Sequence, residues 1–418
     1  MIFPGQARCD KTAHGKQGDK GWATQALRLS VIFFGNSTMA TANVNTAMLT
    51  WARERAGFSV PEFAHKLTTN EERLLKWEAG EQSLTFNQAM QFADKAHIPF
   101  GYLFLSIPPV EKLPIPDLRT LESKPLHQPS AELLDLVKLM LQRQEWYREY
   151  LQQQLTDPNP YVGRFKVSHQ VNDVVNDIRK ALDITLHPER GSSDDYYRDL
   201  VKRIEAIGVL VMRQANLHHH TRPLKVEEFR GFAITDEYAP IIFVNHADAP
   251  GARLFTLIHE LAHIWIGQSG LSDADARTAR KEEIFCNAVA AELLVPAEEF
   301  QRYWRHDVKS WQENLAPLEQ HFRVSCWVLA RRALTLGFIL YEDYAHYIAL
   351  LKAAWQEREK RGKGPTYYKT KKAQISQPFS RAVVEQALSG QLLLREASVL
   401  LDNIKPAKIT EFAKELGL

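Results

Sequence analysis

Residues 253–267 read RLFTLIHELAHIWIG, and the fold turns on what this stretch is. Leu254, Leu257, Ile258, Leu261, Ile264 and Trp265 make it apolar all round, so it reads as a helix buried on nearly every side. His259 and His263 lie four residues apart and share one helix face, which sets two imidazoles side by side at a spacing that suits one metal ion. Glu260 projects about 100° away from His259. It therefore stands beside a bound ion instead of ligating it, placed to take a proton from water and pass it to a leaving amine. The five-residue pattern also arises by chance in unrelated helices, so a third ligand has to decide.

A third histidine six residues after the second is excluded, because that position is Ser269, and position 266 is not glycine. Asp273 and Asp275 lie in a polar DADAR stretch that reads as loop. The remaining source is a following helix, KEEIFCNAVAAELLVP, Lys281 to Pro296. Its apolar positions Ile284, Phe285, Ala288, Val289, Leu293 and Leu294 call for burial against the motif helix. Glu283 and Asn287 are four apart on one face of it. Glu283 is the preferred third ligand, with Asn287 bracing it or holding a ligand histidine's other nitrogen. Glu282 competes, but its neighbour four residues on is Cys286, which reads as a small buried thiol. Two histidines and one glutamate leave a fourth position open, the catalytic and not the structural arrangement.

Upstream of the motif, GVLVM (208–212), FRGFAIT (229–235) and APIIFVN (239–245) read as short buried strands. Helices are expected over about 130–154, 171–182 and 194–207. Helices before strands, then the motif helix, give an α+β unit over 130–300. The triple histidine His218–His220 reads as a solvated loop. Residues 301–418 read as a C-terminal helical region, with two short helices around a turn at Arg323-Val324-Ser325. Within it, 352–372 carries eight Lys/Arg against two Asp/Glu and includes Tyr367 and Tyr368, a composition that can hold a phosphate backbone or form a solvated surface.

At the other end, 45–107 reads as helix, short turn, helix with flanking helices. Ser59-Val60-Pro61-Glu62 is a helix start, and Gly80 a stop. If the third helix reads DNA, Asn70, Arg73 and Lys76 are its candidate contacts. Against this, residues 45–105 hold six Lys/Arg and seven Asp/Glu, a net of −1, and acidic residues oppose phosphate contact. SIPPVEKLPIPDLRT, Ser106 to Thr120, has four prolines and reads as an extended linker, bounded at 108–129. Residues 1–44 read as a disordered extension, with Met39 an alternative start.

The whole chain of 418 residues has a net charge of +2, which rules out a general polyanion binder by composition. Three scattered cysteines form no disulfide framework, so a reducing cytoplasm is the expected compartment.

RLFTLIHELAHIWIG followed by EEIFCNAVAAELLVP, with the strand Ile242–Asn245 before them, resembles the ImmA/IrrE family of metallopeptidases. The order of apolar positions and the KWEAG ending at Gly80 resemble an Xre/Cro-type helix-turn-helix domain, as in the longer family members. The resemblance implies a multidomain, mainly α protein: an all-α helix-turn-helix domain, an α+β gluzincin-like zinc peptidase domain and the C-terminal helices. It implies Zn2+ held by His259, His263 and Glu283, with Glu260 as base. It also implies a protein substrate, a repressor or toxin encoded nearby, whose cleavage switches genes of a mobile element or a stress or defence response. The rival reading is an Xre-type DNA-binding regulator or an antitoxin that uses the zinc fold as a scaffold.

Overall fold

The computed structural model describes residues 41–116, 129–185, 192–272, 280–359 and 367–418. Residues 360–366 of the basic segment, residues 1–40 of the expected extension, and Asp273 and Asp275 fall outside these residues.

The N-terminal unit contains α1 (Thr46–Arg55), α2 (Val60–Lys66), α3 (Glu71–Ala79), α4 (Phe86–Lys95) and a 3-10 turn, Phe100–Phe104. Side chains cap each start. Asn45 accepts from the Ala47 N–H, Asn70 from Arg73, and Ser59 with Glu62 forms a capping box with Pro61 in the first turn. Gly80 ends α3 at φ 77°, a left-handed position that suits glycine. Leu49, Phe63, Leu74, Trp77 and Phe92 fill the centre. The extension expected over 1–44 overlaps this unit: the Ala42 N–H donates to Leu84 O, and Thr41 bridges Thr85.

The linker expected over 108–129 bends at Pro114 and Ile115 where it is described, and it is docked. Glu111 pairs with Arg55 of α1 and with Lys138, and Ile115 is buried. The long helix α5 (Ala131–Gln153) follows, then α6 (Val171–Leu182) and α7 (Ser193–Ala206).

A sheet of four strands, β1 (Leu210–Gln214), β2 (Gly231–Ile234), β3 (Ile241–Asn245) and β4 (Gly270–Ser272), runs in the order β1-β3-β2-β4. β1 is parallel to β3, and β2 is antiparallel to both β3 and β4. Every strand residue is buried, because the sheet is covered on both faces, which explains the unbroken apolar runs in the sequence. Alternate residues serve different cores. Val211, Ala233, Ile242 and Val244 face α6, α7, α8 (Pro250–Ile266) and α9 (Lys281–Leu294). Leu210, Met212, Phe232 and Phe243 face α5 and the C-terminal helices.

Downstream come α10 (Ala297–Tyr303), α11 (Leu315–Phe322), α12 (Cys326–Thr335), α13 (Tyr341–Glu359), α14 (Tyr367–Gln374), α15 (Gln377–Leu388), α16 (Leu394–Leu400) and α17 (Ile409–Leu416). The boundary expected at 300 runs through a continuous core: Phe300, Leu318, Phe322, Val328 and Leu329 pack with the motif helix. α12 sits against the start of α8, where a Cβ on Gly251 would lie 2.5 Å from Trp327 Cδ1. Helices α15–α17 instead join α5 below the sheet, where Arg143, fully buried, donates from Nε to Leu400 O at 2.9 Å. No helix among the described residues is long and apolar enough to cross a membrane.

Candidate metal centre

α8 begins where β3 ends. Asn245, fully buried, accepts from the Ala247 N–H at 3.0 Å and donates to Phe229 O at 3.0 Å, fixing the turn that aims the helix along the sheet. From Leu254 to Ile266 every residue of α8 is buried. At Gly267, φ 69°, the chain leaves the helix.

His259 and His263 place their Nε2 atoms 3.2 Å apart. Glu283, from the first turn of α9, closes the triangle: Oε2 lies 3.2 Å from His259 Nε2 and Oε1 lies 3.1 Å from His263 Nε2. All three side chains are buried, and their ligating atoms lie within 4.8 Å of one another. At this distance one ring's N–H can donate to the other's Nε2, or both rings can turn their lone pairs on a shared cation. The Nδ1 atoms of both rings are buried and have no hydrogen-bond partner. The donor set, two nitrogens and a carboxylate converging in a buried site, fits a zinc ion.

Glu260 stands beside this triangle and outside it. Ser272, the last residue of β4, donates its hydroxyl to Glu260 Oε1, while Oε2 is buried and unpartnered. Burial pushes the Glu260 carboxyl up to about 8, with Glu283 adding to the rise and His259 and Ser272 opposing it. Burial also works against ionised Glu283, but the two imidazoles overcome it and hold that carboxyl well below the usual range. Burial lowers both histidines; at His259 the Glu283 carboxylate outweighs this and the pKa rises, while at His263 it stays lowered.

Gly231 on β2 makes room for Glu260. A Cβ there would lie 2.7 Å from Thr256 Cγ2 and 2.9 Å from both Glu260 Oε1 and the Phe243 oxygen. Beside the turn preceding His259, a cleft is lined by Arg230, Phe255, Thr256, Trp327, Arg331 and Ile348. The Arg331 guanidinium lies 4.3 Å from the Phe255 ring centroid and donates to Asn287 Oδ1 at 3.0 Å.

The structure thus brings His259, Glu260, His263 and Glu283 together. Glu282 is only partly buried and stands outside the cluster. Cys286 is buried, its thiol pushed up by burial and the nearby carboxylates. Asn287 meets Arg331, a partner 44 residues further on. Ile284, expected on the buried face of α9, is 51 % exposed. In α3, Asn70 caps the helix, Arg73 lies over Trp77 at 5.2 Å and Lys76 pairs with Glu72 at 2.7 Å. In the triple histidine, His218 Nδ1 lies 2.5 Å from Asp402 Oδ1. Ser272 was not singled out in the sequence. Gly231 carried a signal, since a glycine inside a strand marks a close approach.

A two-histidine, one-glutamate centre on an α+β scaffold, with a further carboxylate held beside it, defines a metallopeptidase-like site. Residues 212–334, from β1 through α12, match the family model of the IrrE N-terminal-like domain, a peptidase family, which supports the ImmA/IrrE assignment of that stretch. Residues 375–415 match the model of a domain of unknown function. No curated protein matches the chain.

Proposed function

We propose that this chain is a zinc-dependent endopeptidase of narrow specificity that cleaves a regulatory, repressor-like protein and so switches gene expression. The observation that carries the reading is the convergence of His259, His263 and Glu283 with the Glu260 carboxylate buried beside them. When bound, zinc supplies Lewis-acid polarisation of a substrate carbonyl and makes water easier to deprotonate.

The chain's own residues supply the rest. His259, His263 and Glu283 hold the ion. Glu260, oriented by the Ser272 hydroxyl, takes a proton from water as the water oxygen bonds to the carbonyl carbon. It returns that proton to the amide nitrogen as the C–N bond breaks. A carboxyl whose proton affinity is raised by burial keeps the proton until the leaving nitrogen takes it. Phe255, Trp327 and Arg331 line the cleft next to the His259 turn and can receive a substrate side chain. In the N-terminal unit the α3 cations are already engaged and net charge is slightly negative, which suits recognition of a protein partner better than of phosphate.

The test is metal analysis together with cleavage of a helix-turn-helix regulator encoded beside the gene. Glu260→Gln should keep zinc and lose cleavage; a variant that still cleaves at the wild-type rate overturns the proposal.

A further inference from the structure

The carboxyl ends of the parallel strands β1 and β3 gather polar side chains that the metal centre does not use. Arg213, next to last in β1, stands opposite Val244 of β3. Side chains alternate along a strand, so Arg213 leaves the sheet on the side of Val211 and Val244, which α7 and α8 cover. It is 7 % exposed, and its Nε is buried without a hydrogen-bond partner. Among the described residues no carboxylate forms an ion pair with it. A buried guanidinium left without a partner is costly, and such a group in a native interior calls for a counter-charge.

Three neighbours turn this position into a cradle. His246, in the turn after β3, places Nε2 3.2 Å from the Tyr197 hydroxyl of α7, with the two ring centroids 6.0 Å apart. Tyr197 is buried. Arg253, in the first turn of α8, donates to His246 O at 2.6 Å and to Asp248 O at 2.8 Å, which brings a second guanidinium to the same turn. The fields of Arg213 and Arg253 both reach the imidazole: burial, then these charges, push His246 well below its usual range. Glu205 is a carboxylate that feels Arg213, but burial raises its pKa, and it accepts from the Gln377 N–H at 3.2 Å at the start of α15.

We propose that Arg213, His246 and Tyr197 form a binding site for a phosphate group at the carboxyl ends of β1 and β3, with Arg253 adding to its positive field. Parallel strands leave ligands this place, beyond their carboxyl ends. A carboxylate has two oxygens in one plane, which a single guanidinium fork satisfies. A phosphate group has oxygens in tetrahedral directions and carries up to two charges. That suits donors arriving from β1, from α7 and from the turn after β3, with two cations in reach. Tyr197 can accept from His246 Nε2–H and turn its own proton to the anion. The site needs neither zinc nor cleavage. It shares the β3–α8 turn with the motif helix, so a bound phosphate braces the segment from which that helix starts.

Thermal melting of the full chain, first in phosphate-free buffer and then with sodium phosphate added, tests this, with calorimetry giving the affinity. Phosphate should raise the melting temperature of the wild type to a plateau, because a ligand of the folded state stabilises it by mass action. Acetate and chloride at the same ionic strength should not. Arg213→Met keeps the bulk and removes the charge; it should melt no lower than wild type without phosphate and gain nothing from it. Tyr197→Phe should bind phosphate about tenfold more weakly, the effect of losing one hydrogen bond. Glycerol 3-phosphate separates two sources of the same chemistry: binding as tight as that of phosphate assigns the site to an ester, and binding of phosphate alone assigns it to the free ion. An unshifted wild type, an equal shift from chloride or acetate, or an equal phosphate shift in Arg213→Met overturns the proposal. If Arg213→Met does not fold, calorimetry on Tyr197→Phe decides, and an affinity unchanged from wild type overturns it as well.

Discussion

Gly231→Ala places a methyl group between the sheet and the motif helix. Three atoms stand within 2.9 Å of it: Thr256 Cγ2, Glu260 Oε1 and the Phe243 oxygen. The first belongs to a side chain whose hydroxyl is bonded to Ala252 O at 3.3 Å, and the third is backbone of the neighbouring strand. Neither can retreat without turning a buried rotamer or opening the β2–β3 ladder, so the carboxylate or the whole of α8 must move. Overpacking of this kind costs about 1–3 kcal/mol. For a cooperative unit of about 150–250 residues that lowers the melting temperature by roughly 2–12 °C. The assay is a thermal melt by circular dichroism, paired with zinc content and cleavage rate. The substitution leaves His259, His263 and Glu283 untouched, so zinc content should hold while cleavage falls with the displaced Glu260. A melting temperature within about 1 °C of wild type, with full cleavage, would refute the reasoning.

Other perturbations separate the parts of the molecule. Glu283→Ala should abolish stoichiometric zinc, read by elemental analysis after dialysis, whereas Glu282→Ala should retain it. Chelation of the zinc-loaded protein should lower its melting temperature, because a ligand bound only to the folded state stabilises it by mass action. Asp402 is buried, and although burial opposes its charge, His218 and Lys371 hold its pKa at about 2. A depressed carboxyl stabilises the fold above its unfolded value near 4, and that stability is lost as pH falls towards 2. Asp402→Asn should therefore cost about 2 kcal/mol at neutral pH and flatten the acid limb of the melting curve over that window.

Much of the site was legible because its geometry is local. The four-residue spacing of His259 and His263 forces a shared helix face, and the all-apolar surroundings force that helix inside. Glu283 could be reached because its helix also had to be buried. The start of α2 was legible because Ser59 caps it and Pro61 follows in the first turn. What stayed hidden depends on distant chain. β4 is three residues long, too short to show alternation, so Ser272 carried no mark of its place beside Glu260. Asn287 finds its partner in Arg331 on another helix, and no spacing on α9 announces it. Ile284 was misplaced because apolar type was taken for burial, whereas only the stripe of α9 that faces α8 and α6 is covered. The linker looked like a spacer because its prolines exclude helix, but prolines do not exclude docking when the chain only has to accept a bond. The division at 300 followed sequence composition, whereas the core runs on across that point and follows the two faces of the sheet.

That two-faced sheet bears on how the protein can be shortened or recombined. Phe232 and Phe243 stack at 5.0 Å under the strands, with Phe229 beside them, on the side covered by α5 and α15–α17. A polypeptide ending after α12 would keep every candidate metal ligand yet leave this aromatic floor with α5 as its cover and without α15–α17. Such a truncate should aggregate or bind chaperones instead of behaving as a minimal catalytic fragment. The C-terminal helices are thus a second wall of the same house: a graft or deletion that respects the metal residues but ignores residues 375–415 would fail for reasons unrelated to catalysis.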